Sequence, residues 1–165
     1  MPNKDNFIPY LIGLAVVGLL VAVFLFSTRG AQVELKGSVL KVRTQAADEN
    51  NSIAIVDFRF VNPSVNPFMV RTVTVYVEDA QGKSTVGITM SEMDAKRLLD
   101  YYKDLGPKFN DSLITRARIN PKQSLDRMIG ASFPLTQEKL DQRKRIKIVI
   151  EEVDGPVSEI LENRK

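Results

Sequence analysis

The sequence predicts a mostly β chain: a two-sheet sandwich of seven strands with one helical insertion, behind a single N-terminal transmembrane helix. Three observations predict it. Residues 7–26 read FIPYLIGLAVVGLLVAVFLF without a charge, the length and composition of a bilayer span. From Val33 onward apolar and polar residues alternate, the period of half-buried strands. Residues 91–105 alone return to helical spacing. The expected organisation is a tail and anchor over 1–30, a sandwich over 31–155 and a polar tail over 156–165.

The anchor comes first. At about 1.5 Å per residue, residues 7–26 span roughly 30 Å, the thickness of a bilayer's hydrocarbon core. Tyr10 sits near one interface, Lys4 and Asp5 flank one end and Arg29 the other. Pro9 falls in the first turn, where its missing N–H does little harm. A cleaved signal peptide is the competing expectation; its apolar core is shorter, about 7–15 residues, and ends at a small-x-small site. Thr28-Arg29-Gly30 fits that poorly. Counting nearby positive charges, Lys4 against Arg29, Lys36, Lys41 and Arg43, places the large domain in the cytoplasm. Lys36, Lys41 and Arg43 fall in a predicted strand, however, and a short N-terminal tail before an uncleaved anchor favours an extracytoplasmic, periplasmic domain. Ala15, Gly18 and Ala22 form a small-residue stripe at i, i+3 and i+7, a candidate face for docking another membrane helix. Gly and Ala are also frequent in membrane spans generally.

The strands follow. Val33, Leu35 and Gly37 alternate with Glu34 and Lys36, and the run continues to Arg43 before the turn at Asp48-Glu49-Asn50-Asn51. Ala54, Val56, Phe58 and Phe60 share one face of the second strand. Asn62-Pro63 and Asn66-Pro67 interrupt, because proline cannot donate to a sheet ladder. A third strand over 69–78 turns at Gln81-Gly82 into a short fourth over 86–90. Ser91 with Asp94 makes a capping pair, and Ala95, Leu98, Leu99 and Tyr102 form the apolar stripe of a helix stopped by Gly106-Pro107. A fifth strand is expected over 113–119 and a sixth, after Asn120-Pro121, ends near Phe133. Thr136 caps a short helix, and Ile146, Ile148 and Ile150 mark the seventh strand, closed by Asp154-Gly155-Pro156.

Composition narrows the chemistry. The 165 residues contain no Cys, His or Trp. The chain therefore supplies no disulfide, thiolate or imidazole ligand, and lacks the commonest general base near neutral pH. Single-pass copper-delivery proteins, which need such ligands, are disfavoured on the same ground. The formal net charge of +3 is spread among 23 basic and 20 acidic residues, so nucleic acid is not an expected partner.

Residues 56–83, VDFRFVNPSVNPFMVRTVTVYVEDAQGK, resemble the water-stress and hypersensitive-response domain of type 2 late-embryogenesis-abundant proteins. The family's alternating strand ending in Asn-Pro matches Asn62-Pro63, its apolar strand matches 68–77, and its turn glycine matches Gly82. Residues 146–155 look like its last strand. The resemblance implies an immunoglobulin-like, seven-stranded sandwich, in that family often without enzymatic activity, from which the helix at 91–105 departs.

Few residues suggest catalysis. Ser38-Val39-Leu40-Lys41 matches S-x-x-K, but that chemistry needs a helix, and strand alternation points Ser38 and Lys41 to opposite faces. Asp48, Glu49, Asp79 and Asp154 lie in turns without the spacing of a calcium loop. Glu92 and Asp94 suit the positive end of a helix. Arg116, Arg118, Lys122 and Arg127 around one hairpin, and Arg143-Lys144-Arg145, are candidate contacts for a partner or anionic headgroups, against a plain solvated face. Tyr101, off the core stripe, is a further candidate contact. The expected function is a non-catalytic accessory subunit of a larger membrane complex, possessing no cofactor and no small-molecule substrate. Its expected partners are other membrane subunits and the bilayer. A bioenergetic complex is one setting. A membrane-tethered stress-protection protein is the alternative.

Overall fold

The computed structural model describes residues 7–28, 34–153 and 155–163. The chain divides into two units, Met1–Gln32 and Val33–Lys165. In the first, helix α1 runs Phe7–Thr28. Its 22 residues reach about 33 Å at the α-helical rise. Side chains are described for 13–23, and every one is exposed, Leu14, Leu19 and Leu20 each by more than 60% of their surface. Among the described residues no helix is long and apolar enough to cross a membrane; the described side chains of α1 are fewer than the about 20 a span requires. The helix expected over 7–26 is there, and a bilayer around it is an inference from its sequence.

The second unit is mostly β. Its elements are β1 Lys36–Ala46, β2 Ser52–Val61, β3 Phe68–Glu78, β4 Ser84–Thr89, α2 Glu92–Tyr101, β5 Arg118–Ile119, β6 Ser124–Phe133, α3 Gln137–Asp141, β7 Arg145–Glu152 and β8 Val157–Leu161. The strand order is β1-β2-β6-β4-β3-β7-β8, with β5 beside β3 and each pairing antiparallel. Among the described residues eight strands replace the seven expected, and they form one nearly closed sheet. β4 makes the join. Its first residues pair with β3, while Ile88 and Thr89 cross to Ser132 and Thr89's partner Ala131 on β6. Gly87 permits this: a Cβ there would lie 2.5 Å from the buried Phe133 ring. At the other seam β1 lies against β8, and the Leu35 amide donates to Ser158 Oγ at 2.8 Å.

The core follows from the alternation. On β7, Ile146, Ile148 and Ile150 are fully buried and meet Phe58, Phe60 and Phe133 inside the sheet. β2 is buried on both faces because α2 covers its outside, where Ala95, Leu99 and Leu105 pack on Ile55 and Met128. Ser91 accepts from the Asp94 amide at 3.1 Å and donates to the Asp94 carboxylate at 2.7 Å, the expected cap.

Two segments differ from expectation. The strand expected over 113–119 shortens to Arg118–Ile119, because Arg116 takes a left-handed φ of 66° and turns the chain, with the Ala117 amide donating to the Ile114 carbonyl. The polar tail expected over 156–165 contains β8 instead. Gly155, at φ 106°, reverses the chain, Ile160 enters the core, and Ser158 and Glu162 spend their polarity on structural bonds.

Asn62, on which the family resemblance rests, is fully buried. Its amide donates to the Asn66 and Ile119 carbonyls at 2.8 and 3.2 Å, and its oxygen accepts from the Ser64 amide and hydroxyl. The motif builds a turn.

Candidate functional site

The basic residues divide into committed and uncommitted charges. Arg143 is buried and grips Glu162 through both carboxylate oxygens at 2.7 and 2.9 Å. Arg145 and Lys144 converge on Glu78 at 2.6 and 3.0 Å. These bonds, Arg145's the strongest, hold the Glu78 carboxyl down to about 2. The tripeptide 143–145 thus fastens β7 and β8 to the end of β3. Arg127 is half-buried and donates to the Asp126 carbonyl at 3.0 Å. Arg116 and Arg118 are exposed beside the start of β3: the Arg116 amide donates to the Val70 carbonyl, and Arg118 lies opposite Met69.

A polar centre that the sequence reading passed over lies on the outer face of β1 and β2. Arg43 Nη2 meets Asp57 Oδ2 at 2.8 Å, with both side chains almost wholly buried. Arg43 Nη1 also donates to the Leu105 and Pro107 carbonyls at 2.7 and 2.9 Å, and Asn110 donates to Asp57 Oδ1 at 2.9 Å. The guanidinium sits 4.9 Å from the Phe109 ring centroid. Arg43 Nε, also buried, has no hydrogen-bond partner among the described residues. This ion pair ties the segment after α2 to the sheet. It was hidden in the sequence by a bulge between Val39 and Lys41, which shifts the alternation. The same bulge corrects the S-x-x-K reading: Ser38 opposes Arg59 and Lys41 opposes Asp57, so both belong to the outer face. They still lie on a strand, which does not place Lys one helical turn from Ser.

The seam between β3 and β6 leaves a cleft of about 400 Å³ lined by Val73, Thr89, Met90, Glu92, Leu113 and Thr115, among others. Two of its polar residues already have partners: Ser91 caps α2, and Glu92 pairs with Lys108 at 2.7 Å. No nucleophile–base pair lines it. Among the described residues no group of three acidic, His or Cys side chains could hold a metal. Asp48 accepts from the Asn50 and Asn51 amides, and Asp79 from those of Gln81 and Lys83, so both cap turns; Asp154 lies outside the described residues.

The remaining candidates are surface features. Ala15, Gly18 and Ala22 are exposed on α1. Tyr101 is 79% exposed and meets Tyr102 edge-on, with centroids 4.8 Å apart, while Tyr102 packs on the α2 cluster. Among the described residues these candidates are surface features. No family model, curated protein or solved structure matches the chain.

Proposed function

We propose that the chain is a non-catalytic, single-pass accessory or scaffold subunit of a larger membrane complex, with α1 in the bilayer and the β domain against a partner's extracytoplasmic surface. One observation carries the reading: the uncharged helix of 22 residues whose described side chains are all exposed. Burying an exposed leucine contributes about 1.5–3 kcal/mol, and the leucines of α1 recur around the helix, which suits lipid on every side. The balanced charge and the absence of Cys and His support a binding role over chemistry. Extraction of native membranes in mild detergent, followed by native electrophoresis and mass spectrometry, tests it. The expected result is a discrete assembly containing this chain with other polypeptides in fixed ratio; a chain that always migrates alone contradicts it.

Membrane-tethered stress protection is the second reading, favoured by the resemblance over residues 56–83. Deleting the protein distinguishes the two: loss of a subunit produces a defect in unstressed cells, whereas loss of a protectant shows only after drying or osmotic shock.

A further inference from the structure

One end of the β domain closes into a continuous rim. Lys36 pairs with Val61, and Val61 with Ser124. Asn62 bonds Gln123, Lys122 and Ile119. Arg118 pairs with Met69, whose carbonyl accepts from the Val153 amide. The Glu152 amide donates to the Pro156 carbonyl, and Ser158 accepts from Leu35, which closes the circuit. The chain enters the domain at this rim, through Glu34 and Leu35. The link over residues 29–33 that precedes it reaches at most about 20 Å even when fully extended.

The rim carries apolar and cationic side chains together. Its projecting apolar residues are Val65, Met69, Val153 and Val157, exposed by 78, 42, 51 and 46%. Its exposed cations Lys36, Arg118 and Lys122 make no ion pair among the described residues, as is also true of Lys41, Arg71 and Lys96 elsewhere; at the rim the three stand beside exposed valines. Glu34 and the half-buried Glu151 share the rim, while Glu152 is buried. The two described non-glycine residues with positive φ are both basic and both close to it: Lys122 at 60° and Arg116 at 66°. L-residues with side chains this long adopt that conformation rarely. At Lys122 the side chain also reaches the Pro63 carbonyl, beside exposed Val65.

We infer that this rim is a membrane-contacting surface: Val65, Val153 and Val157 dip into the interface of an anionic bilayer while Lys36, Arg118 and Lys122 meet lipid phosphates. The inference rests on the reading of α1 as an anchor. The chain's lack of cysteine makes single-site labelling clean. Full-length Val65→Cys, Val153→Cys and, as a control on exposed β4, Ile88→Cys are each labelled with an environment-sensitive fluorophore. They are reconstituted in vesicles of phosphatidylcholine with or without phosphatidylglycerol. The labels at 65 and 153 should emit at shorter wavelength than that at 88 and resist quenching by aqueous iodide. The difference should grow with phosphatidylglycerol and shrink in Arg118→Glu/Lys122→Glu. Labels as accessible at 65 and 153 as at 88, in chains that float with the vesicles, overturn the rim assignment and leave the anchor standing. Shielding found in native membranes but not in pure lipid assigns the rim to a protein partner and also overturns it. A chain that fails to float with the vesicles removes the anchor, and the inference with it.

Discussion

Arg43 and Asp57 show how one pair of residues can hold an insertion in place. Both are nearly buried, and breaking a buried pair by removing one partner leaves an uncompensated charge that costs about 3–5 kcal/mol. Asp57→Ala should therefore lower the urea-unfolding free energy by about that amount, whereas Arg43→Met with Asp57→Leu should lose much less. At Gly37 the constraint is steric: an added Cβ would fall 2.2 Å from the Arg59 carbonyl oxygen. Gly37→Ala should destabilise by about 1–3 kcal/mol in the same assay. Glu78 sets an acid limb. Its carboxyl is depressed from 4.5 to about 2, chiefly by Arg145 and then Lys144, so the stability it contributes is present above pH 4.5 and lost as pH falls towards about 2. Thermal melts between those pH values should show a shallower decline in Glu78→Gln than in the native chain. None of these roles was legible residue by residue. Arg43 looked like one more charge near the anchor, because neither its burial nor the bulge at residue 40 leaves a mark in local sequence.

At the scale of elements, legibility tracked the strength of the periodic signal. α2 was readable from its cap and stripe, and the structure buries Ala95 and Leu99 where the spacing put them. Ser91→Ala removes the bond to the Asp94 amide and should cost about 1 kcal/mol, seen as a fall in the chemical-denaturation midpoint. β7 was equally plain, its burial alternating along the whole strand. β8 was missed because Ser158, Glu159 and Glu162 made its stretch look like a solvated end. The buried Ser158 and the Arg143–Glu162 pair show that two of those polar residues serve the fold. The strand expected over 113–119 failed for the opposite reason: its alternation was real, but the left-handed turn at Arg116 breaks it.

The whole molecule was legible in class and not in topology. A mostly β domain follows from local alternation, whereas the joining of both layers through β4 depends on pairings distant in sequence, such as Ile88 with Ser132. The candidate surfaces were legible as exposed or basic stretches, yet which charges remain free depended on partners like Glu78 and Glu162 that lie far along the chain. Lipid covering the apolar side chains of α1 is the condition on which the proposed role depends. Alkaline carbonate extraction of membranes from cells making the full-length chain tests that claim most directly. The chain should stay with the bilayer pellet, and release of the full-length chain into the supernatant would contradict it.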